Sequence, residues 1–359
     1  MSLSISFLIS NLNFGGAERV VLNLAHAFKE KGHDVSILLL QYKGEFLKEA
    51  EYNFKIKHFS NTRTWKLPFK LIRYLNKREC DLLISSFWQL NLCASITGVF
   101  FPRMSVYLWE HCPPGKVSIW PNWQYAILTS FFYRLSTKII AVSDEVYDSI
   151  LSLTIGLKGK MCVIFNPITP PPRDFVRSKL IESRFKIIWV GRMDEIKNPK
   201  LLIDAFNLLP DKENYSVYFI GDGPLKKSLE SDVKNNGFTN YIKFKGFTTF
   251  PYFWMNKANL LILTSDYEGF GNVLVEGLNC GLDIISTDCG KGILNILQGG
   301  RFGEIIPKRN EVLLSNAIIR ARNLPRNSEE QIQGSHFYYP EIIANQFLAL
   351  IDFKINLDK

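Results

Sequence analysis

Two glutamates eight residues apart, Glu268 and Glu276, stand in the string DYEGFGNVLVEG, which follows the apolar run Leu260–Leu263. A helix is expected from near Asn272. The free N–H groups at a helix start amount to about half a positive charge and suit a phosphate. A carboxylate just ahead of that start can accept sugar hydroxyls. One about a turn into the helix can accept a ribose diol, which needs two acceptor oxygens close together. Acidic residues also favour first helical turns for stability alone, so the spacing by itself leaves a structural role open. A second group is cationic: Arg192 and Lys197, five apart in VGRMDEIKNP. When a bond to a diphosphate breaks, negative charge grows on the leaving oxygen, and two nearby cations can stand in for a metal ion. Each pairing contributes on the order of 4 kcal/mol near 4 Å at intermediate dielectric. Arginine grips phosphate as a fork and lysine acts as a point charge. The plain alternative is a solvated loop with two surface cations.

Two weaker signals lie in the first half. Gly15-Gly16 falls between an expected first strand and first helix, where missing side chains let the backbone approach a ligand. The surrounding NFGGAER is not the Gly-x-Gly-x-x-Gly pattern, which counts against a dinucleotide enzyme. His111 ends the string VYLWEH at a strand terminus, where a lone histidine is more often a structural hydrogen-bonder than a catalyst. His26, His33, His58 and His336 show no metal-ligand spacing.

The elements needed to position these groups are legible as two βα arrays. Leu3, Ile5, Phe7 and Ile9 alternate as a strand. Ala17, Val20, Val21, Leu24, Ala25 and Phe28 then recur at helical spacing, and a strand is expected at Val35–Leu40. This β-loop-α-β opening implies a parallel sheet with right-handed crossovers. Leu82–Ser86, Val106–Trp109, Lys138–Val142 and Cys162–Phe165 read as further strands. The proline-rich NPITPPPRD, Asn166 to Asp174, reads as a linker. A second array follows, with strands expected at Phe185–Val190, Val217–Ile220, Tyr241–Phe244, Leu260–Leu263 and Asp283–Ser286. Helices are expected near Pro199–Leu208 and Pro224–Lys234. Two doubly wound α/β domains follow, with ligands expected outside the carboxyl ends of strands in an interdomain cleft.

These strings in combination resemble the retaining glycosyltransferases of family 4, which have the GT-B fold of two Rossmann-like domains facing across a cleft. EGFGNVLVE is similar to the family's Glu-x7-Glu motif. The resemblance implies that Glu268 contacts the donor sugar and Glu276 the ribose hydroxyls. The backbone of Gly271, Asn272, Val273 and Leu274 would hold the diphosphate, with Arg192 and Lys197 as its side-chain ligands. It implies that the Gly15-Gly16 loop reaches phosphate and acceptor, and that His111 lies by the 6-hydroxyl of the transferred sugar. Gly271 stands where the family usually has proline, and KGILNIL departs from the usual Gly-Pro-x-Glu-Ile-Leu, with Ile293 for proline and Asn295 for glutamate. Gly221-Asp222-Gly223-Pro224 matches a family turn. No Asp-x-Asp occurs in the chain, in agreement with catalysis needing no metal or other cofactor. The expected organisation is an acceptor-binding domain over residues 1–168, a nucleotide-sugar domain over 175–339 and a returning helix over 340–359. The expected donor is an NDP-sugar, UDP-linked. The expected acceptor is a glycan, lipid-linked, in bacterial surface polysaccharide or glycoconjugate assembly. A catalytically silent nucleotide-sugar-binding scaffold and a GT-B sugar-nucleotide epimerase are the alternatives; the epimerase needs further acid–base carboxylates that are not found.

Bulk properties agree with this reading. A chain of 359 residues with 47% hydrophobic content suits two ordered domains. Six singly scattered cysteines and an N-terminus without a basic, cleavable leader point to the cytoplasm. The run Phe87 to Phe101 is too short and polar to span a bilayer. The charge is uneven: residues 1–170 carry 19 Lys+Arg against 12 Asp+Glu, and residues 171–359 carry 24 against 22. An anionic partner for the first half is therefore expected. In WKLPFKLIRYLNKR, read as a helix over residues 65–78, Lys66, Lys70, Arg73 and Lys77 form a basic stripe opposite Leu67, Leu71, Ile72 and Leu75. That pattern suits either a domain-surface helix with its apolar face in the core and its cations in water, or a basic face against anionic lipid or an acceptor pyrophosphate; Trp120–Arg134 reads as an interfacial aromatic edge or as a core helix. The peripheral site would be the cytoplasmic face of the inner membrane. Nucleic acid is disfavoured, because the cations do not cluster with stacking aromatics on a recognised module.

Overall fold

The structure, a computed structural model, describes residues 2–60, 62–112, 122–172 and 184–355, with side chains to residue 351. Contacts divide the chain into two units, Met1–Ile168 with Tyr338–Lys359, and Thr169–Phe337.

The first unit is built on seven parallel strands: β1 Ser4–Ile9, β2 Asp34–Leu39, β3 Lys55–His58, β4 Leu82–Ser86, β5 Ser105–Glu110, β6 Lys138–Ala141 and β7 Met161–Val163. Their order is β3-β2-β1-β4-β5-β6-β7, so the winding reverses between β1 and β4. Central strands are buried on both faces, which is why they read as continuous apolar runs. Helix α1, Gly16–Glu30, turns Val20, Val21, Leu24 and Phe28 onto the sheet. Helices α2 Leu67–Leu75, α3 Trp88–Gly98 and α4 Asn122–Phe132 follow β3, β4 and β5 in turn. All three crossovers run in one direction across the sheet, so right-handedness places them on the same face. Helix α3 packs against both its neighbours. The C-terminal helix Pro340–Ile355 packs on α1, and its buried Phe347 meets Phe28, Tyr107 and Trp109 at ring separations of 6.4, 6.4 and 5.2 Å.

The second unit has six parallel strands: β8 Phe185–Val190, β9 Tyr215–Ile220, β10 Ile242–Gly246, β11 Leu260–Leu263, β12 Asp283–Thr287 and β13 Glu304–Ile306. Their order is β10-β9-β8-β11-β12-β13, reversing between β8 and β11. Trp189, Phe206, Tyr215 and Phe219 dominate its core.

The expected strands and helices form within a few residues of their predicted bounds, and two strands were not anticipated. β3 is a mostly exposed edge whose sequence, Lys-Ile-Lys-His, offers one apolar residue; β13 is three residues long. The segment read as one helix over residues 65–78 is a short turn, Thr64–Lys66, followed by α2, so Lys66 and Lys77 lie outside the helix. All four stripe cations are exposed, and Leu67, Leu71 and Leu75 are buried. Residues 113–121 and 173–183 lie outside the described residues, and with them the start of the Trp120–Arg134 segment and the end of the expected linker. Among the described residues no helix is long and apolar enough to cross a membrane.

Candidate active site

The carboxyl ends of β8 and β11 are neighbours at the reversal point of the second sheet, where an open α/β fold leaves a crevice. The loop after β8 carries Arg192 and Lys197; the loop after β11 carries Glu268 and leads into helix α5, Asn272–Asn279. The structure joins two of these side chains directly. Lys197 Nζ donates to both carboxylate oxygens of Glu268, at 2.6 and 2.7 Å. Burial works against the ammonium, yet the charge of Glu268 and its hydrogen bonds outweigh it, so the Lys197 pKa lies above its ordinary value. Lys197 therefore stays charged.

The pair is framed from several sides. Ser265 Oγ donates to Glu268 Oε1 at 2.6 Å, and Thr264 Oγ1 donates to the Lys197 carbonyl at 2.8 Å. Trp189 Nε1 in turn donates to Thr264 Oγ1 at 2.9 Å, tying the end of β8 to that of β11. The Asp266 amide donates to the Ile196 carbonyl at 2.8 Å, and Arg309 holds the Asp266 carboxylate in a fork at 2.7 and 3.2 Å. Thr264, Ser265 and Arg309 escaped the sequence reading. The first two carried a usable signal, hydroxyl residues immediately after a buried strand; Arg309, forty-three residues from its partner, carried none.

Arg192 is not drawn into the pair. Its side chain is 72% exposed, and the guanidinium bonds Asp194, two residues on, at 2.5–2.6 Å. Asp194 also accepts from the Lys197 amide at 3.0 Å, so it fixes the loop that carries both cations. The α5 start is made by Gly271, buried at φ 97, a conformation closed to proline. A Cβ there would lie 2.7 Å from Ile293 Cδ1. Two of the departures from the family pattern are thus packing partners: Ile293 fills the space that a bare Gly271 leaves. Asn272, Val273 and Leu274 form the first turn of α5, and half-buried Glu276 lies one turn in.

In the first unit, Gly15 is the extended residue before α1, and the Glu18 carboxylate folds over it and Gly16 begins the helix. Burial raises the Glu18 pKa, opposed by a backbone hydrogen bond. His111 follows β5, beside the end of β4. Its Nε2 lies 3.4 Å from Ser86 Oγ, and its ring packs 4.7 Å from Trp109. Burial pushes its pKa down to about 3, so the imidazole is neutral near pH 7. Its Nδ1 has no hydrogen-bond partner among the described residues.

One residue earlier, Glu110 is fully enclosed, with Oε1 accepting from Asn91 Nδ2 at 2.9 Å and from Tyr133 Oη. Burial pushes its pKa up to about 7, against the two hydrogen bonds that lower it. A carboxyl whose folded pKa exceeds its unfolded value of about 4.3 binds its proton more tightly when folded. Stability is then highest at low pH and falls as pH rises from there through 7. Glu110→Gln, whose amide oxygen can accept both bonds, is expected to abolish this slope and to stabilise the protein by about 1–3 kcal/mol at pH 8. Chemical denaturation at pH 5 and pH 8 measures it; equal pH slopes in both proteins would refute it.

Two parallel α/β units, the second presenting an ammonium–carboxylate pair ahead of a helix start, make this a chain of the GT-B fold. The chain belongs to the family 4 glycosyltransferases: the Glycosyl transferases group 1 model matches residues 172–335 and the Glycosyltransferase Family 4 model residues 14–170. It is 27% identical over 367 residues to the GalNAc-alpha-(1->4)-GalNAc-alpha-(1->3)-diNAcBac-PP-undecaprenol alpha-1,4-N-acetyl-D-galactosaminyltransferase of Campylobacter jejuni, covering 99% of this chain and 95% of that one. To the lipopolysaccharide 1,6-galactosyltransferase of Salmonella typhimurium it is 23% identical over 316 residues, covering 81% and 82%. HepE from Anabaena, solved in complex with UDP and glucose, shares the fold with a TM-score of 0.77 at 20% identity over 99% of both chains.

Proposed function

We propose that this glycosyltransferase moves a sugar from an NDP-sugar, UDP-linked, to a hydroxyl of a lipid-linked glycan, with retention of anomeric configuration and without a metal ion. The product would enter a bacterial surface polysaccharide or glycoconjugate, and the work would be done at the cytoplasmic face of the membrane. The observation that carries the reading is the Lys197–Glu268 pair at the reversal point of the second sheet. A diphosphate entering beside the α5 start would offer Lys197 a second anionic partner, and the exposed Arg192 would close on it as a fork. Both cations would then oppose the charge that grows as the glycosidic bond breaks, and Glu268 would hold the sugar's hydroxyls. Glu276 would take the ribose diol. The acceptor hydroxyl would attack from the face the nucleotide leaves, the departing phosphate accepting its proton. Neutral His111 suits a hydrogen bond to an uncharged hydroxyl such as the sugar's 6-hydroxyl.

The relatives support the substrate classes. One is named for a diphospho-undecaprenol-linked glycan, one for lipopolysaccharide, and HepE was solved with UDP. Incubation with UDP- and GDP-sugars in the presence of EDTA is expected to release UDP slowly, and faster with a polyprenyl-diphosphate glycan acceptor. The product's new linkage should keep the donor's anomeric configuration by NMR. Binding without release would favour a scaffold subunit, and an inverted linkage would remove the retaining mechanism.

A further inference from the structure

Helix α4 is arranged the wrong way round for a protein surface. Its sequence, NWQYAILTSFF, holds no charged residue. The row that faces inward is partly polar: Tyr125, Thr129 and, in the turn that follows, Tyr133. Trp88 Nε1 donates to Thr129 Oγ1 at 2.8 Å, Trp88 stacks on Tyr125 at 5.2 Å, and Tyr133 donates to Glu110. These contacts fix which side of α4 is in. The opposite row, two residues out of phase and so about 200° away, is wholly apolar. Trp123, Ile127 and Phe131 are 63%, 61% and 64% exposed, and Leu135 continues the row. Surface helices normally turn charge outward and bury such a row.

The pattern recurs on the other side of α3. On the same face of the sheet, Trp65 and Phe69 are 63% and 71% exposed among the exposed Lys66, Lys70 and Arg73. Residues 52–153, which span the four helices on this face, contain twelve Lys+Arg against six Asp+Glu, of which Glu110 is buried and Asp144, Glu145 and Asp148 lie on the helix Asp144–Leu153 beside α4. An apolar row set in so basic a field is ill suited to a second copy, which would bring the same charge. It matches the headgroup boundary of an anionic bilayer, where aromatic and aliphatic side chains sink below the phosphates and lysines remain among them.

We propose that Trp123, Ile127 and Phe131, with Trp65 and Phe69, are an insertion surface by which this chain docks on anionic membrane. The proposal rests on the lipid-linked acceptor reading and deepens it by naming the surface and its partner. Because insertion adds apolar contact to charge attraction, binding has a component that salt does not screen.

Flotation with vesicles of phosphatidylcholine alone, and of phosphatidylcholine mixed with phosphatidylglycerol, tests this at low and high salt. The wild-type chain is expected to float with the mixed vesicles and to keep a measurable bound fraction at high salt. Ile127→Ser with Phe131→Ser should lower that salt-resistant fraction at least tenfold, and Trp65→Ser with Phe69→Ser, an independent pair on another element, should lower it as well. Both variants should retain the wild-type thermal shift with UDP, which shows that they are folded. Unchanged flotation of both variants, or a wild-type dimer that the Ile127/Phe131 variant converts to monomer, would overturn the proposal. Flotation without transfer to any polyprenyl-linked acceptor removes the acceptor reading and upholds the surface. Transfer to a soluble acceptor by a chain that does not float removes the surface alone.

Discussion

Glu268→Gln is expected to slow sugar transfer by about a thousandfold while lowering the melting temperature by only about 2–4 °C. Glu268 Oε1 accepts from both Lys197 and Ser265, each at 2.6 Å, and an amide oxygen can keep both bonds. The contact that changes is the one at Oε2, 2.7 Å from the ammonium, where an amide nitrogen would set donor against donor. That loss costs on the order of 1 kcal/mol, small beside the cohesion of the second unit. The larger consequence is electrostatic. The carboxylate is what raises the pKa of the half-buried Lys197 against desolvation, and it is also the acceptor proposed for the sugar's hydroxyls. Removing its charge weakens both roles at once, and preorganised charge of this kind is worth about a hundred- to a thousandfold per group in enzymes. Steady-state transfer rates and a thermal melt of the same preparation decide the matter. Turnover within tenfold of wild type would remove Glu268 from the chemistry. Lys197→Ala makes the complementary case: it strands a buried carboxylate, at a cost of about 3–5 kcal/mol, so its loss of activity would be confounded by loss of fold.

Gly221→Ala should be the most damaging single methyl in the second unit. Gly221 has φ 134, a region essentially reserved for glycine, and a Cβ there would lie 1.9 Å from the Gly191 carbonyl oxygen. That oxygen belongs to the backbone and cannot swing aside as a side chain could. The Gly191 amide is itself pinned to the Ile220 carbonyl at 3.0 Å, and the next residue along is Arg192. The clash can be relieved only by parting the carboxyl ends of β8 and β9, which moves the loop that carries Arg192 and Lys197. A loss of more than about 4 kcal/mol is expected, with a fall of more than about 10 °C in the melting temperature and loss of transfer. Gly237→Ala is the matched control: φ is 71, but a Cβ there meets nothing within 4 Å, so the cost should be about 1–2 kcal/mol of backbone strain alone. Similar melting temperatures for the two variants would show that the close approach to Gly191 does not matter.

These examples mark the boundary of what the sequence discloses. Both sheets were legible because β1, β4, β5, β8, β11 and β12 are buried on both faces and leave uninterrupted apolar runs. The edge strand β3, with Lys55 and Lys57 pointing to solvent, left no such trace. Lys197 and Glu268 were singled out through their local strings, one expected as a phosphate ligand and the other as a sugar ligand. That they hold each other required knowing that β8 and β11 are neighbours, a fact seventy-one residues wide. The same limit applies to His111, whose contact with Ser86 depends on the pairing of β4 with β5. Gly271 and Ile293 each looked like an isolated deviation from the family pattern. Their meaning appears only when the Ile293 side chain is seen against the glycine. For α4, the apolar composition was plain but its orientation was not, because Thr129 and the two tyrosines are turned inward by partners on α3 and β5.

The helix that carries Phe347 has a consequence for how this molecule is made. Phe347, Ile343 and Ala344 are fully buried in the first unit, where Phe347 seals Trp109, the residue against which His111 rests. Those side chains emerge from the ribosome after the whole of the second unit. The second unit, one continuous stretch from Thr169 to Phe337, has all its residues before then. Although it is encoded second, it is the first able to finish folding. The earlier-made half must wait, its aromatic core uncapped, for the segment that begins at Tyr338.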